Sequence, residues 1–194
     1  KQKYLPKMVT GEYIAAIAMT EPGAGSDLQG MRTTAVDKGD HYLVNGSKTF
    51  ITNGYLCDLA VVAVKTDPTK GAKGISLLVM DANAEGFSKG KPFHKAGLHA
   101  QDTCELFFDN VTVPKENLLG SEGHGFAYLM TELAQERLVV GLGAIAAAEA
   151  TLNLTIQYVN ERQAFGKPVA EFQNTKYKIA ELATEVEMGR VFAD

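Results

Sequence analysis

A small antiparallel β-barrel or sandwich followed by a helical segment, an α+β arrangement, is the fold class that this 194-residue sequence predicts. Three observations carry it. From Met8 to about Val113 the apolar residues come in short runs of strand length, punctuated by Asn-Gly, Gly and Pro. Near Gly120 the pattern changes to helical spacing, and no proline occurs from Gly125 to Arg162. The order is a β-domain first and a helical segment second.

The elements follow in order. "HYLVNGSKTFITNG" places Tyr42 and Val44 before one Asn-Gly turn signal, and Phe50 and Ile51 before a second. "LAVVAVKT" and "GISLLVMD" read as two further strands joined by the loop "DPTKGAKG". "CELFFDNVTVP" supplies one or two more and ends at Pro114. A long helix is expected from about Gly125 to Arg162, stopped by Gly166 and Pro168. A second begins near Ala170, with Ile179, Leu182 and Val186 on one stripe.

Composition narrows the function. The apolar share of 45% is that of an ordinary globular protein. A formal charge of −4 speaks against a nucleic-acid surface, which needs a basic stripe. No uninterrupted apolar run reaches the roughly 18 residues that span a bilayer. Cys57 and Cys104 lie far apart, and the four histidines are scattered, so no metal-ligand spacing is present. Lys1 opens the chain without a methionine and Asp194 falls inside a helical pattern, so the sequence is expected to be the middle of a longer one.

Two features invite chemistry. "AMTEPGAGSDLQG" (Ala18 to Gly30) combines glycines that let backbone approach a ligand with the hydroxyls of Thr20 and Ser26. Its amide N–H groups suit an anionic or electron-rich partner, although a plain tight turn has the same composition. It matches neither a P-loop nor a dinucleotide fingerprint. On the long helix, Leu129, Leu133, Glu136, Val140, Gly143 and Ala147 share one face on which Glu136 is the only charge. Such a carboxylate is paired, solvated or used as a base. The neighbouring stripe carries Arg137 alone, and an ion pair from either residue to an adjacent helix is the competing role. Arg162 can complement the helix dipole or hold a phosphate through its planar fork, and the pattern leaves both open.

Taken together, "YLPKMVTGE", "AMTEPGAGSD", "YLVNGSKTFITNG", "KGISLLVMD", "HKAGLHAQDTCELFFDNVTVPKENLLG", "GHGF", "ERLVVGLGA" and "ERQAFGKP" resemble the acyl-CoA dehydrogenase family, in family order and across nearly the whole chain. The resemblance implies that residues 1–116 form the family's middle β-domain and 117–194 the first half of its C-terminal helical bundle. An N-terminal helical domain and the end of that bundle would lie outside the chain. It implies FAD as cofactor. Ile17, Ala18, Met19 and Thr20 would line the flavin with Glu21, Pro22, Gly23, Ala24, Gly25 and Ser26; Thr20 would bond the ring, and Ser26 would touch the acyl-CoA. Phe50, Ile51 and Thr52 would complete the flavin contacts, and Arg162 and Gln173 would reach the FAD of a neighbouring subunit in a homotetramer.

Most members carry the catalytic glutamate in a late segment, whereas long-chain and isovaleryl-CoA dehydrogenases place it directly before the arginine of an E-R pair. "TELAQER" resembles that second group, which implies Glu136 as the base beside the substrate-binding Ala134, Gln135 and Arg137. The wording of several blocks is most similar to the long-chain type, but Ala127 stands where that type holds an aromatic substrate contact. The implied reaction is α,β-dehydrogenation of a fatty acyl-CoA, with electrons passed to electron-transfer flavoprotein, in a mitochondrial matrix or a bacterial cytoplasm. A branched-chain acyl-CoA, a same-fold flavin monooxygenase and an inactive binding module are the alternatives. One donor to the thioester carbonyl would lie beyond Asp194, so this chain alone is expected to be poorly active.

Overall fold

The computed structural model describes all residues from Lys1 to Asp194 and divides them into two compact units, Lys1–Leu129 and Met130–Asp194. The first contains a short helix α1 (Leu5–Val9) and the strands β1 (Ala15–Ala18), β2 (Thr34–Asp37), β3 (His41–Thr52), β4 (Leu59–Lys65), β5 (Ile75–Asp81), β6 (Phe87–Lys89) and β7 (Thr103–Pro114). They make one curled seven-stranded sheet in the order β1-β4-β2-β3-β7-β6, with β5 also pairing with β4. Most neighbours are antiparallel, as the sequence suggests. The sheet is mixed only where β1 and the start of β2 run parallel to β4.

The two long strands carry the architecture. β3 and β7 pair antiparallel over their length and place Tyr42, Val44, Ile51, Leu106, Phe108, Val111 and Val113 in the core. β4 and β5, fully apolar in the middle, add Val62, Val64, Leu78 and Met80. β4 is buried on both faces: Ala63 joins a second core with Ala24, Leu28, Met31, Ile75, Leu77 and Leu129. That double burial explains its run of consecutive apolar residues.

One expected turn is absent. Asn45-Gly46 lies inside the continuous strand β3, at a shift of register against β7. Gly46 has φ of 147°, and a Cβ there would meet Thr33 Oγ1 at 2.5 Å. The glycine therefore admits a neighbouring backbone instead of reversing the chain, and the extra residue of the register shift lies across the ladder on β7, where Asn110 has φ of 52°. Asn45 accepts from the Asn110 N–H at 2.9 Å and so replaces a lost ladder bond. The second signal, Asn53-Gly54, does form a turn, with Asn53 at φ of 60°.

The sheet unit runs on into the long helix α2 (Gly125–Glu161). Gly123 N–H donates to Ser76 Oγ, Leu119 N–H donates to the Leu77 carbonyl, and Leu129 is 4% exposed in the second core. Tyr42, buried under the sheet, donates its hydroxyl to Glu122 at 2.6 Å. The compact unit thus closes over the first turn of α2. Cys57 and Cys104 are free and buried, and burial pushes the Cys104 thiol up to about 11.

In the second unit, α2 is followed by a tight hairpin of β8 (Gln163–Ala164) and β9 (Lys167–Pro168), then α3 (Gln173–Ala193). α3 begins three residues later than expected, because Val169–Glu171 form a 3-10 turn first. Leu142, Ile145, Glu149, Leu152, Ile156 and Val159 mark the more buried stripe of α2. Toward α3, Ile145 meets Gly189, and Glu149 faces Arg190 at 3.6 Å.

Leu106 lies wholly buried in the middle of β7. Leu106→Ala is expected to destabilise the sheet unit by about 2–5 kcal/mol, whereas Val36→Ala, at an exposed strand position, stays within about 0.5 kcal/mol. Urea unfolding of both variants checks the difference.

Candidate functional site

The Gly-rich stretch is an ordered loop whose tip is exposed and whose root is buried. Glu21 and Ala24 exchange backbone hydrogen bonds at 2.9 and 3.0 Å, which pinches Pro22 and Gly23 into a tight outward turn. A Cβ at Gly23 or Gly25 would meet nothing within 4 Å, so the tip presents bare backbone. Ala24 and Leu28 pack into the second core beneath it.

The root is held by a buried ion pair. Glu21 is 7% exposed and Lys48 is fully buried, with Nζ to Oε1 at 2.9 Å. The carboxylate also accepts the backbone N–H groups of Arg32 at 2.6 Å and Thr33 at 3.0 Å. The ammonium donates further to the Met19 carbonyl at 3.0 Å. Burial works to raise the Glu21 carboxyl, but the Thr33 and Arg32 donors and Lys48 outweigh it and hold the group below the usual range. Burial pushes the Lys48 ammonium down, and Glu21 offsets part of that shift.

The loop joins a second segment to make one exposed strip. Thr49 N–H donates to the Thr20 carbonyl at 2.9 Å and the Asn53 amide reaches the Ala15 carbonyl, so residues 15–20 lie antiparallel beside 49–53. Ile17 and Phe50 are 44% and 68% exposed, and Thr52 is exposed as well. Phe50 sits at a register shift with φ of 57°, a strained conformation for an aromatic residue, and its ring leans on Phe93 at 5.5 Å. The shift turns Phe50 outward while Ile51 goes to the core.

Residues 17–26 and 50–52 are therefore brought together by the fold. Within them, Ala18, Glu21, Ala24 and Ile51 are buried and support the strip. Met19 and Thr20 are half-buried, and Pro22, Gly23, Gly25 and Ser26 are exposed. The Thr20 N–H has no acceptor within the chain. The strip offers an apolar platform at Ile17 and Phe50 beside hydroxyls and free amides, a donor set that fits the ring of a flavin. Lys48 is not one of the predicted site residues, although it shares the buried side of β3 with Tyr42 and Val44.

In the second unit, Ala134, Gln135, Glu136 and Arg137 are exposed on α2, with Val140 73% exposed one turn on. Neither Glu136 nor Arg137 has a charged partner within that unit, and α3 covers a different stripe of the helix. Arg162 lies exposed just before β8, and Gln173 lies exposed at the first residue of α3. Val169 N–H donates to the Arg162 carbonyl, and the Gln173 amide donates to Tyr177.

The sheet unit that presents this strip is followed along the chain by the helices α2 and α3. The family model for the acyl-CoA dehydrogenase middle domain matches residues 16–111, and that for the acyl-CoA dehydrogenase C-terminal domain matches residues 123–194. The chain belongs to the acyl-CoA dehydrogenase family, whose members are FAD-dependent.

It is 50% identical to the mitochondrial long-chain specific acyl-CoA dehydrogenase of Mus musculus over 100% of this chain and 45% of that protein. It is 47% identical to the caffeyl-CoA reductase-Etf complex subunit CarC of Acetobacterium woodii, over 98% of this chain and 50% of that protein. The crystal structure of acyl-CoA dehydrogenase from Geobacillus kaustophilus superposes with a TM-score of 0.96 at 60% identity, covering 100% of this chain and 51% of that one. The chain spans about half the length of the relatives it matches. By length and composition α2 passes as a membrane-crossing helix. The match of residues 123–194 to the C-terminal domain makes it a helix of that domain.

The Glu21 carboxyl is lowered in the folded state, so its stabilising contribution is present above the ordinary glutamate range and is lost as pH falls through the folded value. Urea unfolding is expected to show stability dropping below about pH 4, with a shallower acid limb in Glu21→Gln.

Proposed function

We propose that this chain is the central part of a flavoenzyme that removes the α and β hydrogens of an acyl-CoA thioester, leaving a trans-2-enoyl-CoA. The observation that carries the reading is the exposed strip of residues 17–26 and 50–52, rigidly supported and rich in free donors, in a chain of this family. When bound, FAD would supply a two-electron acceptor for the β-hydrogen, taken as hydride.

The chain's own residues do the rest. Ile17 and Phe50 cover the ring from water, Thr20 donates to its polar edge, and Thr52 lies by the reacting side. Ser26 meets the thioester ligand at the loop tip. Glu136 takes the α-proton; its carboxylate has no charged partner in its unit, which leaves it available as a base. Arg137 beside it, with Ala134 and Gln135, shapes the acyl end. Arg162 and Gln173 hold the cofactor of a neighbouring copy in a homotetramer, with the planar guanidinium matched to a phosphate.

The identity to a long-chain specific enzyme supports a medium or long straight acyl chain as substrate. The relative named as part of an Etf complex supports electron-transfer flavoprotein as the electron acceptor. Relatives of mitochondrial and bacterial origin support a matrix or bacterial cytoplasmic setting. Residues 1–116 serve as the flavin-facing domain and 117–194 as the start of the bundle.

In the full flavin-loaded protein, Glu136→Gln is expected to keep flavin absorbance and acyl-CoA binding while slowing anaerobic bleaching by substrate about 100-fold or more. Bleaching at the wild-type rate removes Glu136 from the role of base. A panel of straight and branched acyl-CoA substrates, read by the same bleaching, is expected to favour straight chains.

A further inference from the structure

Lys48 is the only lysine among the fully buried side chains, and its ammonium reaches the exposed strip from the core side. It issues from β3 opposite Leu106, inside the curled sheet, and ends against Glu21 at 2.9 Å, the Met19 carbonyl at 3.0 Å and Met31 Sδ at 4.0 Å. No part of the chemistry assigned to the Gly-rich loop accounts for a buried cation there. An apolar pair of similar volume would fill the same space without the cost of desolvating two charges.

The peptide between Met19 and Thr20 links the two sides. In a trans peptide the C=O and N–H point in opposite directions. With the Met19 carbonyl aimed at the Lys48 ammonium, the Thr20 N–H points away from it, toward the strip. The Thr20 carbonyl is occupied by Thr49 N–H at 2.9 Å, which fixes the plane from the other end. The Thr20 N–H itself has no acceptor in the chain. A cation bonded to a carbonyl polarises that amide and strengthens its N–H as a donor, more so in a site screened from water.

We propose that Lys48 is a positioning residue for the flavin: its buried ammonium holds and polarises the Met19–Thr20 peptide, which presents the Thr20 N–H as a strengthened donor to the electron-rich edge of the ring. Glu21 keeps the ammonium in place and moderates its charge. The pair therefore sets how readily bound flavin accepts two electrons from the acyl thioester, because reduction raises the electron density on that edge. This inference rests on the flavin reading above.

The test is the two-electron midpoint potential of bound flavin in the full-length, flavin-loaded protein and in Lys48→Met and Glu21→Gln. Lys48→Met is expected to shift the oxidised-to-reduced equilibrium about tenfold against reduction, a fall of about 30 mV for a two-electron couple. Glu21→Gln leaves the ammonium less compensated and is expected to shift it in the opposite direction. Opposite signs are the signature, since a merely structural pair would disturb the site alike from either end. If Lys48→Met does not fold, Glu21→Gln decides alone: a raised potential supports the inference and an unchanged or lowered one overturns it. Loaded variants with wild-type potentials overturn the role of Lys48 and leave the flavin reading standing. A full-length wild-type protein that takes up no FAD overturns both.

Discussion

The buried pair of Glu21 and Lys48 is the constraint on which the candidate site depends. The loop after β1 has little side-chain bulk of its own, and its glycines would otherwise leave it with many conformations. One carboxylate gathers two backbone N–H groups and an ammonium, and the same ammonium takes the Met19 carbonyl. The tip can then be bare backbone because the root is over-determined. A buried ion pair is weak evidence for stability, since desolvation opposes the Coulombic gain. Its value here is geometric: it fixes the orientation of successive peptides that face outward.

The fold supplies the other half of that geometry. β3 contains two irregularities with different jobs. At Gly46 the strand yields to Thr33, keeping β2 against the sheet, and at Phe50 it turns an aromatic side chain out of the core. Between them lies Lys48, so the segment that delivers the ammonium inward also delivers the platform outward. The strain at Phe50 is sustained by the long β3–β7 pairing on either side.

Much of this was legible in the sequence, and what was not has physical reasons. The valine-rich runs at 59–65 and 75–81 and the proline-free helix were readable because burial on both faces and a long period leave strong patterns. Asn45-Gly46 gives a turn signal yet stays in the strand, because the glycine is needed where another backbone lies against it and the dipeptide faces a bulge on β7. That neighbour, Thr33, is distant in sequence. Lys48 had a local signal, a cation at an inward strand position, but its partner Glu21 lies 27 residues away, and only the curled sheet brings them together. The stripe through Glu136 was found by helical period alone. Which stripe of α2 meets α3 was not, because both faces carry apolar and small residues.

The central claim is that residues 17–26 and 50–52 form the flavin-binding surface of the sheet unit. Hydrogen exchange read by mass spectrometry, on the full-length protein with and without FAD, tests it most directly. The account predicts slowed exchange in peptides covering Ile17–Ser26 and Phe50–Thr52 when FAD is present, with no change around the polar cleft lined by Lys3, Tyr13, Asp58 and Asp81. Protection confined to that cleft, or absent from both strip peptides while FAD is bound, would contradict it.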